Sequence, residues 1–223
     1  MELSRLKGEP CTGGAADVYK CFGQIQRQLL YRIMKEAGMP ARVREAYQRF
    51  QENLKAHNTI AGGIGEAYTK PTSIPQGDPF SMMLTSLWMR AWIMQMHSLS
   101  VQPRLLADDL QILCTGPNHL KLFEAGFTKT HERLEDMGAR LAPSKSMTFS
   151  TDAATRGWLR THRWRRLGRI IAVVTDCRDL GAHLNATEGR WYGKTLTSRM
   201  LQVADETERL NRIKAPYVKR QLS

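Results

Sequence analysis

Two adjacent carboxylates stand in the middle of an apolar run, RLLADDLQILC (Arg104–Cys114). Apolar residues on both sides of a central polar pair, closed by Gly116-Pro117, read as a β-hairpin. A two-residue hairpin turn needs positive φ, which Gly and Asn adopt most easily. Here the turn has two Asp, whose like charges repel and whose neighbours are apolar. A divalent cation would offset both costs. Mg²⁺ suits the role, because it takes hard oxygen ligands and often needs only one or two carboxylates plus substrate phosphates. Asp-Asp pairs are also common in plain exposed turns, and that reading stays open.

The chain has 223 residues, enough for one good-sized domain or for one domain and part of another. With 42% hydrophobic and 24% charged residues it has the composition of an ordinary folded protein. The net charge of +12 is the outlier. It points to a polyanionic partner, nucleic acid first, with an anionic membrane surface as the other source of the same attraction. The four cysteines form no C-x-x-C pair, so cysteine spacing provides no zinc site and a reducing intracellular compartment is expected. Met1 to Lys20 does not read as a signal peptide. The longest apolar run, Phe80 to Met96, is short for a bilayer and is interrupted by Arg90 and several polar residues. It is expected to be a buried helix, which leaves a protein of the nucleus or cytoplasm with no membrane partner.

Along the chain, Ala15 to Tyr19 reads as a short strand with Asp17 near its end. Apolar residues at helical spacing predict helices over Gln24–Ala37, stopped by Gly38 and Pro40, and over Arg42–Ala56. The Gly- and Pro-rich passage His57–Pro79 is too long for a plain connection and predicts short strands or a functional loop. The buried helix runs from Phe80 to about His97, and another spans His119–Met137. Strands are predicted at Met147–Ser150, Arg169–Val174 and Leu180–His183, and the tail from Trp191 to Ile213 is helical. The expected fold class is α+β: a small antiparallel sheet covered by helices on one face.

Two further elements extend the carboxylate argument. In AADVYKCF, a strand of small residues presents Asp17, followed five residues later by Phe22. Acids at adjacent strand ends could hold paired metals of the kind that serve displacement at phosphorus. In SIPQGDPFS (Ser73–Ser81), Pro75-Gln76-Gly77 makes a rigid turn in which Gly permits close backbone approach, and Pro79 suits the first turn of the following helix. Such a turn can receive a phosphate or a nucleotide edge, and it can equally be a plain helix entry.

In this order and at these intervals the elements resemble the palm of a reverse transcriptase, most closely that of non-LTR (LINE-type) retrotransposons. DVYKCF is similar to the family's D-x-x-x-A-F, with Cys21 for Ala. PQGDPFS is similar to its P-Q-G-S-P-L-S, with Asp78 for Ser, and LADD to its Y/F-A-D-D, with Leu106 for the aromatic residue. LEDMGARLAPSKSMTF (Leu134–Phe149) and DLGAHLN (Asp179–Asn185) resemble the two motifs that follow.

The resemblance implies an RNA-directed DNA polymerase that joins a deoxynucleotide to a primer 3′-hydroxyl by two-metal transfer, with Mg²⁺ or Mn²⁺ as cofactor. RNA template, DNA primer and dNTP would be its partners. Asp17, Asp108 and Asp109 would be the metal-binding and catalytic acids. Phe22 would exclude a ribose 2′-hydroxyl, Gln76 and Gly77 would border the nucleotide, and Lys145 would lie near the triphosphate. Residues 1–186 would be the palm and 187–223 the start of a helical thumb. The family's fingers region lies upstream of the first acid, and sixteen residues precede Asp17, so a chain lacking fingers and low in activity by itself is expected.

The segment Arg156–Arg169 has six Arg, two Trp and no acid. Arg160, Arg163, Arg165 and Arg166 suit phosphates and Trp164 suits base stacking, which fits a primer or template strand. The competing reading is a catalytically dead basic remnant that only binds nucleic acid.

Overall fold

The computed structural model describes residues 4, 6–179, 182–187 and 194–212. A five-stranded sheet forms its centre, in the order β4 (Gln102–Leu106), β5 (Asp109–Thr115), β1 (Cys11–Asp17), β6 (Met147–Ser150) and β7 (Ala172–Val173). The first four strands are antiparallel; β7 lies parallel to β6, so the sheet is mixed rather than wholly antiparallel.

The middle strand explains the small residues of CTGGAAD. A Cβ at Gly13 would lie 2.6 Å from the Phe149 ring and 2.8 Å from the Ile112 carbonyl oxygen, and one at Gly14 would lie 2.9 Å from the Phe123 ring. Glycine weakens most strands, but here neighbours on both sheet faces close over the backbone and nothing larger fits. β1 therefore begins at Cys11, four residues before the start expected from Ala15.

Helices cover one face. α4 (Ser81–Ser98) buries Leu84, Trp88, Trp92 and Met96 at four-residue spacing, and α5 (His119–Asp136) buries Phe123, Phe127, Thr130 and Leu134. Trp92 Nε1 donates to Thr130 Oγ1 at 2.9 Å and ties the two helices together. Thr12 Oγ1 and His119 Nδ1, 2.6 Å apart, join β1 to the start of α5. On the opposite face Cys11, Leu113 and Phe149 form a second small cluster with Ala186.

Before the sheet is completed the chain forms α1 (Cys21–Gln24), α2 (Arg27–Glu36) and α3 (Ala41–Asn53). Gly38, at φ 80°, lies between α2 and α3. The passage 57–79 contains a small hairpin, β2 (Thr59–Ile60) and β3 (Gly63–Ile64). α6 (Ala153–Thr161) is an addition to the elements expected from sequence: the Asp152 side chain accepts from Thr155 N at 2.6 Å, a helix cap just ahead of the arginine-rich segment. The strand expected over 180–183 is a hairpin, β8 (Asp176–Asp179) with β9 (Ala182–Asn185), and Leu180 and Gly181 lie outside the described residues. The terminal helix is α7 (Lys194–Arg212); Trp191 and Ile213 also lie outside them. Among the described residues no helix is long and apolar enough to cross a membrane.

Candidate active site

The β1–β5 ladder brings the acids together. Asp17 ends β1 directly opposite Asp109, the first residue of β5, so these two side chains share one face of the sheet. The β4–β5 ladder closes at Leu106 opposite Asp109, which leaves Ala107 and Asp108 as the turn. The turn centre is thus one residue earlier than the Asp108-Asp109 pair expected there. Ala107, at φ 55°, takes the left-handed backbone that Gly would adopt without strain. Like charges directly opposite one another in a sheet are unfavourable, so this end of the ladder suits a cation.

Asp17 and Asp108 form the acidic part of a cleft of about 540 Å³ that is also lined by Phe22, Gln76 and Lys145. Five of the expected site residues, drawn from four separate stretches of chain, therefore meet there. Asp109 and Gly77 stand next to it: Asp109 is in the strand beside it, directly opposite Asp17, and Gly77, at φ 85°, provides the turn that carries Gln76.

Each wall is fixed by hydrogen bonds. Ile74 N donates to the Phe22 carbonyl at 2.8 Å and Ser73 N to that of Ile25 at 2.9 Å, so Phe22 and the Gln76 loop are held together. Arg27, buried on the apolar face of α2, donates through Nε to the Ser73 carbonyl at 3.1 Å and through Nη1 to that of Gln51 at 2.8 Å. Tyr47 Oη donates to Asp78 Oδ2 at 2.5 Å and accepts from Gln51 Nε2 at 2.7 Å. Burial, followed by the hydrogen bond to Asp78, pushes the Tyr47 hydroxyl pKa well up, so it stays a donor. Asp78 Oδ1 accepts from Phe80 N at 2.9 Å and shapes the approach to α4. The loop carrying Lys145 is anchored by Ala142 N donating to the Asp17 carbonyl at 2.8 Å.

Lys20, Arg27 and Lys70 also line the cleft, and sequence reasoning missed them. Arg27 had a signal: it occupies the same helical stripe as Leu30, Tyr31 and Met34, where a charge is out of place unless it has a task. Lys20 lies inside the DVYKCF motif. Lys70 had no signal, since a lysine in a long loop looks like any solvated one. Burial, then the charges of Asp108 and Asp17, push the Cys21 thiol up to about 12. It is therefore protonated and serves as a small buried side chain where the family pattern has Ala.

The basic segment is placed elsewhere. Trp164 is only 2% exposed, with its ring 4.5 Å from Phe127 and 5.9 Å from Phe123 between centroids. It is a core residue and is unavailable to a base, which corrects its assignment. Trp158 is likewise engaged, stacked on His162 at 4.0 Å. Arg160, Arg163, Arg165 and Arg166 are exposed on α6 and the turn after it, with Arg166 3.5 Å from Glu135; none of them lines the cleft.

Among the described residues no three His, Cys, Asp or Glu side chains are gathered as a ready-made metal centre. The donor set still fits Mg²⁺ or Mn²⁺, which take one or two carboxylates and complete their shell with water and phosphate. Asp17 and Asp108 make no ion pair among the described residues, and their oxygens are hard ligands.

A mixed sheet with helices on one face and acids at a strand end and a hairpin turn is the architecture of a polymerase palm. The profile of the family described as reverse transcriptase (RNA-dependent DNA polymerase) matches residues 2–193, and the chain belongs to that family. Two structures of telomerase from Candida tropicalis have a similar fold. One, in complex with a TWJ fragment of telomeric RNA, matches with a TM-score of 0.53 and 11% identity over 68% of this chain and 28% of that one. The other, an apo form truncated from the C-terminal domain, matches with a TM-score of 0.59 and 12% identity over 83% and 36%. The chain spans roughly a third of the length of these telomerases. No curated protein matches it significantly.

Proposed function

We propose that this chain is the palm of a non-LTR retrotransposon reverse transcriptase, with residues 187–223 beginning a thumb, acting inside the cell on an RNA template, a DNA primer and dNTP. The carrying observation is that Asp17 and Asp108 meet in a cleft whose other walls bring Phe22, Gln76 and four cationic side chains, Lys20, Arg27, Lys70 and Lys145. Acids beside cations suit a triphosphate: the cations attract and orient it, while the acids would hold Mg²⁺ or Mn²⁺, with Asp109 beside them. When bound, the cation supplies charge stabilisation at the phosphorus under attack.

The protein's own contribution is alignment. Holding primer hydroxyl and triphosphate in reacting geometry can supply several orders of magnitude in rate. The hydrogen bonds from Ile74 to Phe22 and from Arg27 to Ser73 keep the sugar-side and base-side walls in fixed register. Phe22 is half-buried and lines the cleft, which suits a role against the ribose 2′-hydroxyl.

The test is primer extension on an RNA template with Mg²⁺ or Mn²⁺. Asp108→Asn should reduce extension to background while leaving template affinity unchanged. Extension surviving in that variant would refute the site. Template binding without extension even when a fingers region is restored upstream would favour the second reading, a basic binding remnant, which the exposed arginines around α6 support by themselves.

A further inference from the structure

The hairpin β2–β3 has no task in the reading above. Ala61 and Gly62, at φ 49° and 84°, form a turn with positive φ at both central residues, which gives a tight, rigid tip. The stem is pinned by Ala56 and Tyr68, which exchange backbone hydrogen bonds of 2.8 and 2.9 Å, and by Gly65 N donating to the Asn58 carbonyl at 2.8 Å. Tyr68 Oη adds a 3.1 Å bond to Asn58 Oδ1. Ala56 and Lys70, at the foot of the hairpin, line the catalytic cleft. Ile60 is four positions beyond Ala56, so at strand rise the tip lies within about 13 Å of a residue that lines the cleft.

The tip is apolar and bare. Ile60 is 79% exposed and Ile64 74% exposed. Thr59 pairs with Ile64 and Ile60 with Gly63, so the two isoleucines occupy opposite faces of the ribbon. A single exposed aliphatic residue needs no explanation. Two β-branched residues back to back on a stiff ribbon, with Ala61, Gly62 and Gly63 between them, make a thin wedge with an apolar surface on each side. Lys55 and Lys70 flank its foot against one acid, Glu66, which favours a polyanion.

We propose that this hairpin is a strand-separating wedge: Ile60 and Ile64 pack against the terminal base pair of a duplex lying ahead of the cleft and part its strands. Aliphatic side chains inserted at base steps unstack them, and base faces are the apolar surface that a nucleic acid offers. The chain would then copy through double-stranded regions. The proposal rests on the polymerase reading for where the duplex lies.

The test uses the full chain and a primer–template whose downstream strand leaves a short gap, with 2-aminopurine in the first downstream pair. Saturating protein should raise its fluorescence roughly twofold or more as that base unstacks. Ile60→Ser/Ile64→Ser should abolish the rise with affinity for an open single-stranded template unchanged, and Ile60→Val/Ile64→Val should retain it. No binding, no rise at saturation, or an equal rise with the serine variant would overturn the wedge. Extension on an open template, run in parallel, tests the polymerase reading separately, because the fluorescence measurement needs no catalysis.

Discussion

At Phe22 and Trp164, two aromatic residues next to polar or charged sequence have opposite fates. Phe22 reaches the cleft wall beside Asp17, whereas Trp164 enters the core against Phe127. Phe22→Ala should therefore leave the fold intact and raise ribonucleotide use relative to deoxynucleotide use by about tenfold, or about 1.4 kcal/mol in the barrier, read by competitive primer extension. Trp164→Ala should cost about 3–5 kcal/mol of stability through the cavity it leaves, read by denaturant unfolding. Replacing exposed Arg160 and Arg165 by Ala should leave stability within about 0.5 kcal/mol and lower the salt slope of RNA binding by about one per residue. Alternating Arg and Trp looks like a binding strip in one dimension. Burial separates its members, and burial is set by residues of α5 some forty positions earlier.

At the scale of elements, β1 depends on having no side chain at its middle. Gly13→Ala should destabilise the protein by about 1–3 kcal/mol, because backbone as well as side chains stands in the way of the new Cβ. Gly157→Ala, in α6 with open space around it, should stabilise by about 0.5–1 kcal/mol; paired melting curves would show opposite shifts. Long helices were legible in sequence because their apolar residues recur along a buried stripe, as Leu84, Trp88, Trp92 and Met96 do. β1 extends beyond the part legible in sequence because its glycines answer to the close approach of neighbouring elements, not to any local preference. α6 is less legible because a nine-residue helix offers only about two turns of periodicity, and its start is marked by the Asp152 cap alone.

Across the whole molecule, buried titratable groups set a pH window for stability. Burial holds the thiols of Cys21 and Cys114 up to about 12 from an ordinary 9.0. The unfolded chain loses these protons first, so stability should fall as pH rises from 9.0 towards 12. Burial lowers the pKa values of His119 and His131 below an ordinary 6.5. The unfolded chain binds those protons first, so stability should also fall as pH drops below 6.5. Thermal melting across pH should give a plateau between the two limits; a midpoint still rising above pH 9 would contradict it.

The sequence by itself determined the chemistry: which acids could serve, their order along the chain, the turn that carries Gln76 and the excess of positive charge. These follow from residue type and short-range spacing. Tertiary structure alone decided which of them meet. Asp17 and Asp108 are 91 positions apart in sequence and share a cleft because β1 and β5 pair in one register. Lys70 joins them through a loop with no periodicity, and Trp164 leaves the binding surface because a cavity between aromatic rings on α5 is a better place for it than water. Pairing register and burial are properties of distant residues taken together, and no local pattern encodes them.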